Sequence, residues 1–382
     1  MTTPKPLPID RAWMTDVLLA LLRTPSPSGR TDAVMQLVGD TLNELGLSFS
    51  LTRRGALLAE LAGEQPGADR AIVVHADTIG AMVEDCKPNG RLRIGPIGSW
   101  SARHAEGGRC TVFVDDLATT YTGTVLPLKA SGHAYGEEID TQGVGWDHVE
   151  VRVDELVHDG DGLAALGIQV GDFVALDAEP VLSPAGFVKS RHLDGKAGVA
   201  AALAACKALV DHRVALPYTA HLLVTIAEEV GHGASHGLDT DVAEMVSVDN
   251  AVCAPGQHSI EHGVTIPMRD MTGPFDYHLT RKLLQLCDEA DITSARDVFR
   301  NYRSDVAAAL EAGAGTRAAL VAFGLDASHG HERTHLDSVE GVAQLLTAYL
   351  QTELTFAQWD VEPTGPLEDF PSSRQPTPEQ DR

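Results

Sequence analysis

Two adjacent carboxylates, Glu228 and Glu229, come just after the apolar stretch 222–226. Neighbouring side chains on an extended chain point to opposite sides, so the two carboxylates can take different roles. One can bind a metal ion while the other accepts a proton from water, which is the division of work in a metal-dependent hydrolase. An isolated Glu-Glu pair at a strand end is more often simply solvated, so this interpretation depends on the other candidate ligands.

A histidine and an aspartate follow the predicted strand 71–74. His75 can bind a metal ion, and the alternation of an extended chain places Asp77 on the same side, where it can orient the imidazole. Alone this pair is a weak signal, because a histidine at a strand end is usually only a polar residue near a loop.

Three more candidate ligands lie at the ends of predicted elements. Asp194 precedes an Ala-rich helix, where a bridging carboxylate and an ordinary N-cap both fit. Asp249 follows a strand, at the edge where open α/β sheets place their sites, although aspartate is also a common turn residue. His335 precedes the last helix. With His75 and Glu229 they offer two nitrogens and three carboxylates, which suit two zinc, cobalt or manganese ions better than calcium or magnesium.

The elements that must position these residues alternate along the chain. Helices are predicted at 9–23, 31–45, 198–210, 275–290 and 338–350, and strands at 48–52, 57–61, 71–74, 222–226, 245–248 and 319–323. This alternation predicts an α/β fold with a mostly parallel sheet between helices. Short β-rich pieces broken by Gly, Pro and Asp predict a small inserted β domain. The expected domains are a catalytic domain in two parts, 1–81 and 182–358, the inserted domain 82–181, and a disordered acidic Pro-rich tail, 359–382.

Composition narrows the possible partners and the compartment. The 382 residues are 43% hydrophobic and carry a formal net charge of −25. Such an acidic surface argues against nucleic acid or an anionic membrane as a partner. Five scattered cysteines without a Cys-x-x-Cys pair fit a reducing compartment and argue against a thiolate zinc site. The N-terminus lacks a signal-peptide pattern and no run approaches ~18 apolar residues, so we expect a cytoplasmic protein.

These motifs, in this order, resemble metallopeptidase family forty-two, the TET-type and glutamyl aminopeptidases. The shared motifs are His75-Ala76-Asp77, Leu193-Asp194, Glu228-Glu229-Val230-Gly231, Val248-Asp249 and Arg333-Thr334-His335. No single motif is specific, but five in order around an inserted β domain are. The resemblance implies a two-metal peptidase or amidase for short peptides, and homo-oligomers built from dimers through the inserted domain, commonly dodecamers. The roles it implies are one metal on His75 and Asp249, the other on Glu229 and His335, a bridge by Asp194, a general base in Glu228 and orientation of His75 by Asp77.

The chain departs from the family at the rim of the expected substrate site. The departures are Thr78, Lys196 and Thr334, and the run Arg303-Ser304-Asp305 where the family has Gly-Thr-Asp. Around Arg303 and Arg333 the sequence resembles a bacterial branch associated with the N-acetylglutaminylglutamine amide (NAGGN) osmoprotectant system. We therefore predict a short, neutral, amide-rich substrate. The predicted substrate contacts are Arg303, Ser304, Asp305 and Arg333.

Two other functions stay open at this point. A deacylase of N-acyl amino acids would use the same metals but recognise an acyl cap instead of a free amino terminus. A non-catalytic assembly protein would keep the scaffold and lose ligands, and none of the five is lost. The inserted domain supplies no predicted ligand, so we expect it to offer strand edges for assembly and to be dispensable for metal binding.

Overall fold

The computed structural model describes residues 5–238 and 241–356, so the predicted tail lies outside the described residues. The helices are α1 (Arg11–Arg23), α2 (Asp32–Glu44), α3 (Gly132–Tyr135), α4 (Glu138–Thr141), α5 (Gly160–Ala165), α6 (Leu193–Asp211), α7 (Tyr277–Glu289), α8 (Asp305–Glu311) and α9 (Leu336–Leu350). Within the described ranges, no helix has the length and apolar character that crossing a membrane requires.

The strands of the described residues fall into a large sheet, a barrel and two small sheets. They are β1 (Phe49–Leu51), β2 (Leu57–Leu61), β3 (Gly63–His75), β4 (Gly80–Cys86), β5 (Leu92–Ile97), β6 (Arg109–Phe113), β7 (Thr120–Pro127), β8 (Val149–Val153), β9 (Phe173–Leu176), β10 (Val181–Leu182), β11 (Phe187–Ser190), β12 (Leu216–Thr225), β13 (Val242–Val252), β14 (Val264–Pro267), β15 (Arg269–Asp270), β16 (Gly273–Pro274), β17 (Ser294–Asp297), β18 (Arg317–Leu325) and β19 (Glu332–His335).

The large sheet has eight strands in the order β1-β2-β12-β3-β13-β18-β14-β17. Its four central strands, β12, β3, β13 and β18, are parallel, whereas β1–β2, β2–β12 and β14–β18 pair antiparallel. The sheet is therefore mixed, with a parallel centre. Parallel strands end at the same edge of a sheet, so the residues at the carboxyl ends of β3, β12 and β13 come together.

Alternate side chains of the central strands join different cores. Ile72 and Val74 pack with α1, α2, α6, α7 and α9 on one face. Ala71 and Val73 pack with α8 on the other. Strands covered on both faces need a continuous apolar run, which is the pattern seen in the sequence. The prediction of an α/β fold with helices on both faces of the sheet is confirmed.

Between β3 and α6 the chain forms a closed barrel with the strand order β4-β5-β8-β7-β6-β9. Its strands lie within residues 80–176, and side chains such as Val112, Val125 and Val151 fill the interior. Closure pairs every barrel strand on both sides, so the expectation of free strand edges for another subunit does not fit this architecture.

Two element ends differ from the prediction. Strand β13 continues past Asp249 to Val252, because Asp249 pairs in register with Ala322 of β18. Helix α6 is bounded at Leu193, before the predicted start at 198, although the backbone of Asp194 is not helical, at φ −67° and ψ 115°. Asp194 therefore lies at a kink in the first turn of α6.

Candidate active site

Four buried side chains and the partly exposed His329 converge at the carboxyl edge of the large sheet, and we call these five residues the metal-site cluster. They are His75 at the end of β3, Asp194 in the first turn of α6, Glu229 after β12, Asp249 in β13 and His329 between β18 and β19. Four of them are predicted ligands, whereas His329 is not among the predicted residues.

The cluster consists of two groups that share one aspartate. His75 Nε2 lies 3.3 Å from Asp194 Oδ1 and 3.9 Å from Asp249 Oδ1. His329 Nε2 lies 3.4 Å from Asp194 Oδ2 and 3.1 Å from Glu229 Oε2. Asp194 thus offers one oxygen to each group, as a carboxylate that bridges two metal ions would.

Close backbone packing allows α6 to approach β3. A Cβ atom at Gly195 would lie 2.3 Å from the ring of His75, so only glycine fits there. Because position 195 has no side chain, the first turn of α6 lies directly against the imidazole. This contact places Asp194 beside His75.

The residues of the cluster fit divalent metal ions. His75 Nε2 is fully buried and has no hydrogen-bond partner among the described residues. Two donor atoms bound to one tetrahedral zinc ion at ~2.0–2.2 Å lie roughly 3.3 Å apart. The separations of 3.1, 3.3 and 3.4 Å agree with that value, and the 3.9 Å separation to Asp249 is wider.

The charges of the cluster and of the neighbouring Glu228 also favour a bound cation. Burial raises the pKa of Glu228 well above its ordinary value, and the Asp249 carboxylate adds to the shift. Burial alone would lower the pKa of His329, but the carboxylates of Glu229 and Asp194 raise it to about 12. Buried carboxylates without a counter-charge are costly, and bound metal ions would neutralise them.

His335, the predicted second histidine ligand, is not part of this cluster. Its Nε2 atom lies 2.7 Å from the carbonyl oxygen of Ala185, and its Nδ1 accepts a hydrogen bond from the backbone N–H of Asp337 at 3.1 Å. Its ring packs edge-on against Phe187. Both ring nitrogens are therefore engaged elsewhere, and we replace His335 by His329 in the proposed ligand set.

The reason for this difference is the course of the chain between β18 and α9. Residues 326–331 form a loop over the cluster, and β19 then pairs with β11 and carries His335 away from it. Both histidines follow a strand and precede the last helix in sequence. The run Ser328-His329-Gly330 offered a second histidine, but only the loop conformation distinguishes the two.

Asp77 orients His75 through its main chain instead of its carboxylate. His75 Nδ1 lies 3.1 Å from the Asp77 carbonyl oxygen and 3.7 Å from carboxylate Oδ1. The carboxylate accepts hydrogen bonds from the backbone N–H groups of Glu228 and Glu229, at 3.1 and 3.3 Å, and from the Ser28 hydroxyl. Asp77 therefore also holds the turn that carries the two glutamates.

A cavity of about 760 Å³ opens over the cluster, and Glu228 lines it. Its lining comes from the large sheet, from the loops after β12, β17 and β18, and from Gly98 and Ser99 in the loop after β5. Drug-sized ligand pockets span ~300–1,000 Å³, so the cavity can hold a short peptide.

Of the four predicted substrate contacts, only Arg303 lines this cavity, and its guanidinium donates to Glu311 at 2.8 Å. Ser304 caps α8 through its hydroxyl, and the buried Asp305 accepts from the Thr225 hydroxyl and the Ala234 N–H. Arg333 forms ion pairs with Glu261 and Asp326 and lies over the ring of Phe187.

The prediction of Ser304, Asp305 and Arg333 as substrate contacts is thus not supported by their positions. The start of α8 turns Ser304 and Asp305 toward the helix and the sheet, and β19 holds Arg333 on another side. Tyr302, next to Arg303, does line the cavity.

The barrel contacts the cluster directly. The backbone carbonyl of Ser99, in the loop after β5, lies 2.8 Å from His329 Nδ1. A hydrogen bond at Nδ1 orients a histidine ring and directs Nε2 toward a metal ion. This contact counts against the expectation that the inserted domain is dispensable for metal binding.

Gly98→Ala is expected to weaken metal binding at His329. Gly98 has φ +82°, and a Cβ there would lie 2.9 Å from Ile79 Cγ2, so the loop that presents the Ser99 carbonyl must shift. Loss of such a supporting contact typically costs ~10–100-fold in metal affinity. Titration with zinc in competition with a chromogenic chelator measures this loss of metal affinity.

Gly107→Ala is the matched control for this change. Gly107 lies in the same domain with φ +76° and has no atom within 4 Å of the Cβ position, so it carries the same backbone strain without the displacement. Equal metal affinities in the two variants would show that the Ser99 contact does not support His329.

Known proteins with similar sequences are aminopeptidases. A sequence profile of the M42 glutamyl aminopeptidases matches residues 55–345. The chain is 35% identical over 339 residues to the putative aminopeptidase YhfE of Bacillus subtilis (strain 168), covering 89% of this chain and 97% of that protein. It is 27% identical over 226 residues to the glutamyl aminopeptidase of Lactococcus lactis, covering 56% and 60%. The chain belongs to the M42 glutamyl aminopeptidase family.

Solved structures agree on the fold. The aminopeptidase APDkam598 of the archaeon Desulfurococcus kamchatkensis superposes with a TM-score of 0.83 at 19% identity, covering 94% of this chain and 99% of that chain. The TET1 peptidase of Pyrococcus horikoshii, which assembles into a tetrahedron or a large octahedral shell, has a TM-score of 0.77 at 21% identity and covers 88% and 99%.

Proposed function

We propose that the protein is an aminopeptidase for short peptides that depends on two divalent metal ions. The observation that carries this proposal is the geometry of Asp194, whose two oxygens face two separate histidine–carboxylate groups at 3.3 and 3.4 Å from the histidine nitrogens. A single-metal site would not need a second histidine beside the other oxygen. Zinc, cobalt and manganese suit this donor set.

The ligands would divide between the two ions. His75 and Asp249 would bind one metal ion, Glu229 and His329 would bind the other, and Asp194 would contribute to both. Two bound metals lower the pKa of a water molecule and polarise the scissile carbonyl.

Glu228 is proposed as the general base. It follows the same strand as Glu229, lines the cavity and is not needed as a ligand. Its carboxylate can accept a proton from the attacking water and pass it to the amine that leaves. The Asp77 carboxylate accepts a hydrogen bond from the backbone N–H of Glu228 and so fixes the main chain from which the Glu228 side chain extends.

The substrate is proposed from the relatives and from the cavity. The names of the relatives describe aminopeptidases, which supports a free amino terminus on the substrate. The link to NAGGN metabolism stays a prediction. The small polar residues Thr78, Ser304 and Thr334 do not support it, because they are buried and do not line the cavity. The neutral side chains Asn250 and Asn301 do line it.

One substrate comparison tests these proposals together. Protein stripped with a chelator should be inactive and should regain activity with zinc, cobalt or manganese. We expect faster cleavage of glutaminylglutamine amide than of leucyl- or glutamyl-anilides, and slower cleavage of the amide once it is N-acetylated. The test compares the kcat/KM values of these substrates at a fixed metal and salt concentration.

Each ratio addresses a different alternative. A preference for the acetylated dipeptide would identify the N-acyl deacylase. A preference for the anilides would remove the osmolyte hypothesis and leave a general aminopeptidase. Full activity after complete removal of metal would refute the metal-dependent function itself.

Homo-oligomerisation is also proposed, from dimers up to a dodecamer. The TET peptidases that share the fold include a dodecamer and a tetrahedral assembly. Sedimentation velocity of the purified protein tests this, and a monomer at micromolar concentration would contradict it.

A further inference from the structure

Glu332, a buried carboxylate at the start of β19, connects the two loops that carry Asp194 and His329. It is 2% exposed and belongs to none of the predicted site residues. Its Oε2 accepts the backbone N–H groups of Leu193 and Asp194, at 2.6 and 3.2 Å. Its Oε1 accepts the backbone N–H of His329 at 2.9 Å. One side chain thus holds the main chain of two residues of the metal-site cluster.

The N–H groups that Glu332 accepts lie just before the regular part of α6. The backbone of Asp194 is not helical, at φ −67° and ψ 115°. The preceding His192 has a left-handed backbone and makes no cap hydrogen bond. Glu332, which is distant in sequence, accepts the N–H groups of both Leu193 and Asp194 in this segment.

The carboxylate of Asp194 faces the cluster and not the helix. An aspartate at the start of a helix commonly uses its carboxylate as a cap. Here Asp194 Oδ1 and Oδ2 face His75 and His329 instead, and Oδ2 also accepts hydrogen bonds from the Asn250 amide and the Ser328 hydroxyl. Glu332 holds the main chain from which this carboxylate extends.

We propose that Glu332 is a positioning residue on β19 that sets the spacing between Asp194 and His329 for the second metal ion. The inference rests on the proposed two-metal function. Its carboxylate does not touch the metal-site side chains directly but holds the backbone from which they extend. Both loops must keep their places for Asp194 Oδ2 and His329 Nε2 to share one ion.

Glu332→Gln tests the proposal with almost no change in shape. An amide has one accepting oxygen, so its NH2 group must face either the N–H of His329 or the N–H groups of Leu193 and Asp194. One of the two loops then loses its partner, and a buried unpaired donor results. We expect the affinity of the weaker-bound metal ion to fall ~10–100-fold, as for other residues that support ligands.

Asp297→Asn is the matched control. Asp297 is also a buried carboxylate that accepts backbone N–H groups, from His258, Ser259 and Val298, and it contacts no residue of the metal-site cluster. We expect it to lower the Tm without changing either metal affinity. Glu332→Asp keeps the charge but is one methylene shorter, and we expect it to bind metal as weakly as Glu332→Gln.

The measurements are metal affinity by competition with a chelator, the absorption spectrum of the cobalt-loaded protein, and Tm. Parental affinity for both ions in Glu332→Gln, with a lowered Tm, would show a purely structural role and overturn the proposal. Parental affinity in Glu332→Asp would show that charge alone matters and would also overturn it. A parent protein that binds no metal would instead refute the proposed function, which keeps the two failures distinct.

Discussion

Glu228→Gln should retain both metal ions and lose ~10²–10⁴-fold in kcat, the usual contribution of a general base. The amide has nearly the shape of the carboxylate but cannot accept a proton at neutral pH. Glu228 lines the cavity, and its backbone N–H is already fixed by Asp77, so the change removes the proton acceptor without moving the turn. Steady-state kinetics and metal analysis on the same preparation measure the two effects.

The control for Glu228→Gln is the change at its neighbour. Glu229→Gln alters a proposed ligand, 3.1 Å from His329, and should lower metal content as well as turnover. If Glu228→Gln keeps parental kcat with unchanged metal content, Glu228 is not the base. If it loses metal as Glu229→Gln does, the two glutamates are both ligands and the division of roles is wrong.

Asp194→Ala should remove both metal ions and with them the activity. Its two oxygens each face a different histidine, so its loss takes a ligand from both groups at once. The parent protein is expected to bind about two metal ions per chain, and the Asp194→Ala variant is expected to bind close to none. Elemental analysis after gel filtration in metal-free buffer gives the stoichiometry.

Two histidine variants complete the comparison. His329→Ala should lose mainly one ion, because only the group with Glu229 contains it. His335→Ala should keep both, since its ring nitrogens bond to Ala185 and Asp337 outside the cluster. Unchanged stoichiometry in Asp194→Ala, or loss of a metal ion from His335→Ala but not from His329→Ala, would contradict the proposed ligand set.

Local pattern in the sequence was enough to predict most of the fold. Apolar runs such as 71–74 and 222–226 indicated strands buried on both faces, and the helical spacing in 9–23 and 338–350 indicated helices that cover them. Burial dictates these patterns residue by residue, so they can be read without knowing the neighbours in space. The same holds for His75, which ends β3, and Glu229, which follows β12, since both strands end at one edge of the sheet.

Tertiary structure decided which of two histidines joins the cluster. His329 and His335 lie six positions apart and precede the same helix, so sequence spacing does not separate them. The pairing of β19 with β11 moves His335 away, while the Ser99 carbonyl and Glu332 hold His329 in place. These contacts join residues distant in sequence, which local patterns do not report.

The same distinction applies to Asp194, and it has a physical cause. From the sequence by itself, this aspartate is either an N-cap or a bridging carboxylate, because both need an acid before a helix. The structure separates the alternatives because the Asp194 carboxylate faces His75 and His329 and accepts hydrogen bonds from the Asn250 amide and the Ser328 hydroxyl, all of them distant in sequence. The sequence by itself therefore determined the fold class and the chemistry available at the sheet edge. Long-range hydrogen bonds, which depend on the whole chain being folded, decided which side chains are placed to take part in that chemistry.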